Sequence, residues 1–586
     1  MASNTAMRVM QGGGSSAMND CSEMRKRCEA RLSHMRSDRS LLEPIWRDLR
    51  DYILPSAGLF YIGDERQQRG YKAPMIINSK PTFAANTLRS GMMAGVTSPA
   101  RPWFRLGTPD PEMMEFQPVR EWVHVVEKRM RDVFQKSNLY HALPSLYGEQ
   151  GVFGTAATLA LEDPKKIIRF QPITVGRYWL ATSFTGEVDT IAREVSMTAR
   201  QCAQEYGIEN CSMSVCNMLN NGQGESRITV INLIEPNSDW REHALGPAGM
   251  RWRSLHWQEG GDKDRMLAVR GYESKPFMAP RWDVLYENVY GNGPGMVARG
   301  DCKSLQLQER RKAQAIDKQV DPPLQAPAHL RNSPISSVPG GVTFSDIGQS
   351  TQGVRSLYDV RFDHSGLLDD IAKTEERINS AFFADLFLMM SMSDRRQITA
   401  REIDERHEEK LLMLGPVLER LNQELLDPII ERTFDLMVKR NELPPPPEEL
   451  QGQDLRIEYI SILAQAQKLV GIGGVERLAT FVGQLATMKP DVLDKLDPDQ
   501  CVDDYAEMLG TSPRLVRSDE AVEQLRAASA QQQQLQMAAQ AAQPVQQGAQ
   551  AIKALADAPM GVSQANGADA SVLGRLLENY GASVYE

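Results

Sequence analysis

Apolar side chains first recur at helical spacing at Met24, Cys28, Leu32 and Met35, three or four residues apart, which predicts one buried helical stripe. Asp20 stands three residues before Glu23, the capping-box spacing, so this helix is expected to open near Asn19. The Gly/Ser-rich residues 1–19 before it are expected to be disordered. Pro44 predicts the start of a second helix carrying Ile45, Trp46, Leu49, Tyr52 and Ile53, which stops at Pro55. A third follows Pro81 with Phe83, Leu88, Met92 and Met93, then a turn-rich run from Gly95 to Pro102; Trp122–Phe134 is a fourth.

Between about 150 and 290 the apolar period falls from near 3.6 to near 2. Thr155–Leu161, Ile167–Pro172, Arg177–Ala181, Val188–Ser196, Arg227–Ile234, Met250–Trp257 and Met266–Tyr272 read as strands. Turn signals such as Glu162-Asp163-Pro164 and Thr185-Gly186-Glu187 separate them. The block predicts an α+β domain built on an antiparallel sheet.

Helical spacing then returns. Asp301–Val320 is a polar helix ended by Asp321-Pro322-Pro323, and a Pro/Gly/Ser-rich stretch runs from Gln325 to about Asp363, with β-like pieces at Gly341–Phe344 and Ser356–Phe362. Leu367–Leu388 is helical again. Thr399 and Glu402 form a second capping box, opening a long helix with Leu411, Leu414, Leu418, Leu421 and Leu425. Pro416 and Pro428 must bend it, because each lacks an amide donor. Pro444–Pro447 is a stiff extended spacer, a smaller helical unit covers about 454–511, and Ala527–Gln550 is a low-complexity Ala/Gln arm.

Composition narrows the class. At 586 residues the chain has room for about four domains. No run reaches the 18 or so apolar residues of a membrane span, so no membrane partner is expected. Seven cysteines, with no Cys-x-x-Cys pair, point to neither a disulfide framework nor a zinc site; Cys202, Cys211 and Cys216 read as small core residues. The net charge of −10 disfavours tight nucleic-acid binding, which draws on a basic surplus.

Chemistry is sparse. No Walker-type Gly-x-x-x-x-Gly-Lys-Ser/Thr loop is present. Gly291-Asn292-Gly293-Pro294-Gly295 is glycine-rich, but Pro294 removes an amide where a phosphate cradle needs one, so a structural turn is expected. His407-Glu408 begins a zinc-protease motif that Leu411 breaks. Ser98 and Ser365 lack the glycines of a nucleophile elbow, and Asp369-Asp370 and Asp503-Asp504 read as exposed acids. Trp252 and Trp257 interleaved with Arg251 and Arg253 admit a nucleic-acid reading, yet a two-faced strand explains them better. Catalytic, cofactor and metal residues are therefore all expected to be none, and the chain is read as structural, not enzymatic.

Several segments, in order, carry a family resemblance: Leu54-Pro55; Leu88–Leu106 ending Thr97-Ser98-Pro99-Ala100-Arg101-Pro102-Trp103-Phe104-Arg105-Leu106; Val152-Phe153-Gly154-Thr155-Ala156; Arg193–Gly207; Tyr290–Met296 before a helix closing in Asp321-Pro322-Pro323-Leu324; Ile398–Glu402; and Leu414–Arg420 with Leu426-Asp427-Pro428. Together they resemble the portal, or head-to-tail connector, family of short-tailed bacteriophages over about 20–510. Asn78-Ser79-Lys80 stands where that family has an acidic start, Asn292-Gly293 where it has Arg-Ser, and Ile398 where it has Met.

The resemblance implies a homo-oligomeric ring, usually a dodecamer, at one capsid vertex of the virion, assembled in the host cytoplasm. Its partners would be double-stranded DNA in the channel, terminase, major capsid and scaffolding proteins, and tail or adaptor proteins. The competing assignment is a capsid scaffold or minor coat component without a channel. Mapped on the chain, the family architecture implies a disordered N-terminus at 1–19, a wing at 20–300, stem helices at 301–321 and 365–388 flanking a clip at 322–364, a tunnel loop at 389–397, a bent helix and crown at 398–520, and a C-terminal arm at 521–586. The tunnel loop would put Met389, Met390, Met392, Arg395 and Arg396 against DNA. The stem would carry Lys303, Arg310, Arg311, Lys312 and Lys318 on one helix and Asp369, Asp370, Glu375 and Glu376 on the other, opposite signs suited to pairing.

Overall fold

The computed structural model describes residues 16–60, 75–110, 113, 116–320, 324–325, 355–356, 364–392, 413–450 and 455–460, with isolated positions beyond. The chain divides into two units, Met1–Leu496 and Asp497–Glu586. In the second, the described positions Val522, Arg526, Ala527 and Ser529 are helical. The helices and strands with defined bounds all belong to the first.

Helix α1 (Ser16–Ser40) starts four residues before the predicted cap, so Asp20 lies inside it and 16–19 are helical, not disordered. Helix α2 (Glu43–Tyr52), α3 (Lys80–Gly95) and α4 (Gln117–Lys136) each carry a proline in the first turn, where a missing amide costs nothing. Strand β1 (Phe104–Gly107) lies between α3 and α4. Helix α5 (Leu139–Phe153) has no counterpart among the predicted elements. Eleven of its residues are buried, from Leu139 round to Phe153. A helix buried on every side shows no apolar stripe, and Pro144 inside it reads as a breaker.

The period-2 block forms the expected antiparallel strands, split between two sheets where one was expected, with the short β9 added: β2 (Ala157–Asp163), β3 (Ile167–Ile173), β4 (Tyr178–Thr182), β5 (Val188–Thr198), β6 (Arg227–Pro236), β7 (Trp252–Gln258), β8 (Ala268–Tyr272) and β9 (Phe277–Met278). Strands β4 to β8 make a five-stranded antiparallel meander, and β2 lies between β3 and β9 in a second sheet. Two short helices absent from the predicted elements, α6 (Ala199–Tyr206) and α7 (Met213–Asn220), interrupt the meander after β5.

Alternation along β6 sorts the cores. Ile231 and Leu233 point with Trp257 and Leu255 toward the α1 stripe of Cys28, Leu32 and Met35. Ile228 and Val230 point the other way, under α6 and α7. Two buried arginines hold α1 down: Arg25 donates to the carbonyls of Gln258 and Arg265, both at 2.9 Å, and Arg39 to those of Gly176 and Tyr178 at 2.9 and 2.8 Å. Trp252 packs edge-on against Phe277 while Trp257 is buried on the opposite face, so the two-faced strand is the correct account of this aromatic pair.

Helix α8 (Pro294–Val320) begins seven residues earlier than predicted. Strands β10 (Leu324–Gln325) and β11 (Arg355–Ser356) pair beyond it. The second predicted long helix is broken into α9 (His364–Ala381) and α10 (Ala384–Met392). Phe383 takes a left-handed φ of 53° and its ring sits 6.2 Å from Trp282, while Phe382 is fully buried. Aromatic packing overrides the helical pattern there.

The expected bend of the next helix is a π turn, Asn422–Leu426, leading into α11 (Asp427–Lys439). Pro428 lacks the amide that an α-helix would aim at the Glu424 carbonyl, and widening the turn removes the need for it. Where a helical unit is expected to begin, β12 (Arg456–Tyr459) instead pairs antiparallel with β1, placing Tyr459 opposite Phe104. Alternating Ile457 and Tyr459 against the main core makes the strand the better use of these residues. The Thr399 capping box, His407, Gly341–Phe344 and most of the Ala/Gln arm lie outside the described residues.

Candidate functional site: the paired long helices

The start of α8 is fixed by glycines in contact. Gly154 ends α5 at φ 79°, and a Cβ there would stand 2.2 Å from the Gly291 carbonyl oxygen. A Cβ on Gly293 would stand 2.8 Å from the Gly151 oxygen. Only residues without side chains permit this approach. The Gly291 amide donates to Thr155 Oγ1 at 2.8 Å and the Asn292 amide to the Asp283 carbonyl at 2.7 Å. The glycine-rich run is a structural turn, as expected.

From that anchor α8 and α9 run antiparallel. Asp301 pairs with Arg377 at 3.1 Å near one end of the contact, and Gln308 donates to Asp370 at 2.5 Å near the other. Cys302, Leu305 and Gln306 of α8 are buried on the inner side, as are Ile371, Thr374 and Ile378 of α9. Beyond Gln306 no described side chain of α8 is buried. Fourteen residues, about 21 Å of helix at 1.5 Å per residue, thus leave the core. They expose Leu307, Ile316 and Val320.

The predicted stem residues fall into three groups. Lys303 turns away from α9 to α2, 2.6 Å from Asp48, and Arg299 reaches the same carboxylate at 3.7 Å. Lys312 pairs with Glu309 on its own helix, and Asp369 with Lys373 at 2.8 Å, which raises the Lys373 pKa through their hydrogen bond. Asp370 and Glu375 face the helix pair, Asp370 through Gln308 and Glu375 through Asn78. Arg310, Arg311, Lys318 and Glu376 are exposed. Among the described residues, the ion pair joining the two helices is Asp301–Arg377, with its charges reversed relative to the net signs of the helices.

Asn78 stands out in the sequence only as a departure from the family pattern. Its side-chain amide donates to Glu375 at 2.9 Å and to Glu309 at 3.1 Å. Gln306 Oε1 accepts from the amides of Ile77 and Asn78 at 2.7 and 2.9 Å, and Gln306 Nε2 donates back to the Asn78 carbonyl at 2.8 Å. A neutral donor suits this position because two carboxylates converge on it. Lys80 stands 3.9 Å from Glu375, adding positive charge.

Helix α10 lies on α3. A Cβ on Gly91 would meet the Phe387 ring at 2.1 Å, so that ring occupies the space over the glycine. Met389, Met390 and Met392, expected in a loop, belong to α10. The turn expected at 389 is made earlier, at Phe383, and the Leu-Met run simply continues the helix. Arg395 and Arg396 lie outside the described residues.

One polar cluster went unforeseen. On the sheet face under α6, Asn232 Nδ2 donates to Ser254 Oγ at 2.9 Å, His256 Nε2 lies 3.0 Å from Ser254 Oγ, and Tyr206 OH lies 3.0 Å from His256 Nδ1. Burial holds the His256 pKa down at about 3, with Arg270 and Arg193 adding to the effect. A neutral, enclosed histidine whose two nitrogens are engaged by protein groups fastens β6, β7 and α6, and Ser254 beside it is wholly buried. Among the described residues no group of three or more His, Cys, Asp and Glu is arranged to hold a metal ion, and no helix is long and apolar enough to cross a membrane.

These features define a mixed helix-and-sheet scaffold with a projecting antiparallel helix pair. Residues 25–516 match the family described as bacteriophage head to tail connecting protein. The chain is 44% identical over 512 residues to the portal protein of Salmonella phage epsilon15, covering 87% of this chain and 92% of that one. It is 43% identical over 511 residues to the probable portal protein of Bordetella phage BPP-1, with the same coverage. A solved chain from the neck of an empty GTA particle, computed with C6 symmetry, covers 78% of this chain and 96% of its own at 10% identity and a TM-score of 0.32, too distant to bear on the fold. The chain belongs to the bacteriophage head to tail connecting protein family, as the ordered segments of its sequence led us to expect.

Proposed function

We propose that the chain is one subunit of a twelve-fold portal ring that conducts double-stranded DNA into and out of a capsid through one vertex. The observation that carries the reading is the outer half of α8. Helices without packing are marginal in water, and here fourteen residues leave the core of their own chain with apolar Leu307, Ile316 and Val320 uncovered. Neighbouring subunits arranged head to tail would cover them, and such contacts close into rings when the rotation allows.

In this reading 20–300 is the wing, 301–321 and 365–388 are the stem helices, 322–364 is the clip that meets terminase and tail or adaptor proteins, and 398–520 is the bent helix and crown facing the capsid interior. The exposed Arg310, Arg311, Lys318 and Glu376 are then available to neighbours. The acidic chain, at −10 per subunit, would keep DNA mobile in the channel. The subunit itself would perform no hydrolysis, energy for packaging coming from terminase.

Electron microscopy of negatively stained protein tests the proposal. Closed rings with a central hole are expected, and a ring mass by native mass spectrometry. Monomers or dimers alone, at every concentration, would overturn it.

A further inference from the structure

Cys202 and Cys211 are both fully buried and their sulfurs lie 3.8 Å apart. Their placement is set by the helices on either side. Thr198 and Gln201 form a capping box that starts α6, and Ser212 Oγ caps α7 by accepting from the Val215 amide at 3.4 Å. Gly207, at φ 86°, turns the chain between them. Cys211 Sγ donates to the Gly207 carbonyl at 3.2 Å, which leaves Cys202 as the donor in the contact between the sulfurs.

We propose that Cys202 and Cys211 are an oxidation site, closing to an intrachain disulfide when the protein meets hydrogen peroxide. A disulfide needs an S–S distance of about 2.05 Å, so the sulfurs must approach by roughly 2 Å, a movement on the scale of side-chain rotation. Donation from Cys202 lowers the Cys211 pKa and raises that of Cys202, making Cys211 the attacking thiolate. Its sulfur attacks one oxygen of hydrogen peroxide; the O–O bond breaks and the leaving hydroxide takes up the proton given up by the Cys211 thiol, departing as water. The sulfenic acid on Cys211 is then attacked by Cys202, the S–O bond breaks, and a second water leaves with the Cys202 proton. Two thiols and one peroxide become one disulfide and two waters.

The other described cysteines supply contrast. Burial pushes the Cys28 thiol up to about 11 and the Cys302 thiol up to about 12, and each lies remote in sequence from this turn. Cys216 is half-buried and its Sγ donates to the Ile208 carbonyl at 3.8 Å. In a compartment reduced by glutathione the pair stays open; outside it, the bridge would staple the turn that carries exposed Ile208.

The test treats the folded, full-length protein with hydrogen peroxide, labels remaining thiols with N-ethylmaleimide after denaturation, and maps the tryptic peptide Gln201–Arg227, which holds all three cysteines. The expected peptide carries one label, on Cys216, and has lost two hydrogens. The melting temperature should rise on oxidation and return with dithiothreitol, and Cys202→Ala should abolish that rise. Three labels after treatment, a sulfinic acid on Cys211, or a bridge through Cys216 would each overturn the assignment.

Discussion

Arg281 and Glu424, 143 residues apart, are joined by a bidentate clamp. Arg281 Nη2 and Nε donate to Glu424 Oε1 at 2.6 and 3.0 Å, and the Arg281 amide donates to Oε2 at 2.8 Å. Glu424 sits in the π turn and Arg281 just after β9, so the clamp ties the bent helix to the sheet domain. Arg281 side-chain exposure is 4% and that of Glu424 is 19%, so removing one partner strands the other in a poorly solvated place.

Glu424→Ala should therefore destabilise the fold by about 3–5 kcal/mol, the usual range for breaking a buried pair. Urea unfolding of Glu424→Ala, Arg281→Ala and the double variant checks this. The double variant should cost clearly less than the sum; simple additivity would show that the two side chains do not act on each other.

Asn78→Asp places a third carboxylate between Glu309 and Glu375. We expect a loss of about 1–3 kcal/mol at neutral pH, from the lost donor and like-charge repulsion. The repulsion raises the folded pKa of the new acid above its unfolded value. Stability should thus recover as pH falls and be lost as pH rises. Thermal melts from pH 4 to 8 check the sign; a deficit that does not shrink in acid would exclude the electrostatic account.

Burial pushes the Glu149 carboxyl up to about 7, although the Thr174 side chain and the Val175 amide, at 3.0 Å, bind it. The folded pKa lies above the unfolded one, so this group's contribution is full below about 4.5 and is lost as pH rises through about 7. Glu149→Gln keeps the acceptor and removes the titration. The variant should match the parent in acid and exceed it by a few kcal/mol above about pH 8. Parallel stability–pH curves would refute the shift.

How far the fold was legible depends on how each residue is buried. Strands β2 to β8 face two environments, so alternation revealed them. Helix α5 faces one environment all round and offered no period to read. The Phe383 break depends on Trp282, a hundred residues away, and β12 depends on β1, more than three hundred away. The stem helices were visible as polar helical runs, but their partners were not. Lys303 goes to Asp48 and Glu375 to Asn78, contacts fixed by where α2 and α3 lie. Net helix charge says nothing of such placement.

Arg395 and Arg396 come just after α10 in the chain, beyond its end at Met392. In the portal reading the segment beyond α10 meets DNA, and adjacent arginines touch phosphates without reading bases. Each phosphate contact releases counterions on binding, so its removal should weaken retention uniformly across sequences and lower the salt slope by about one per arginine. Arg395→Ala with Arg396→Ala should leave ring formation intact. Packaged DNA should be retained less well at low salt, with the gap to the parent closing at high salt. Packaging and retention equal to the parent at every salt concentration would remove these two residues from the channel, whereas lost rings would assign them to assembly.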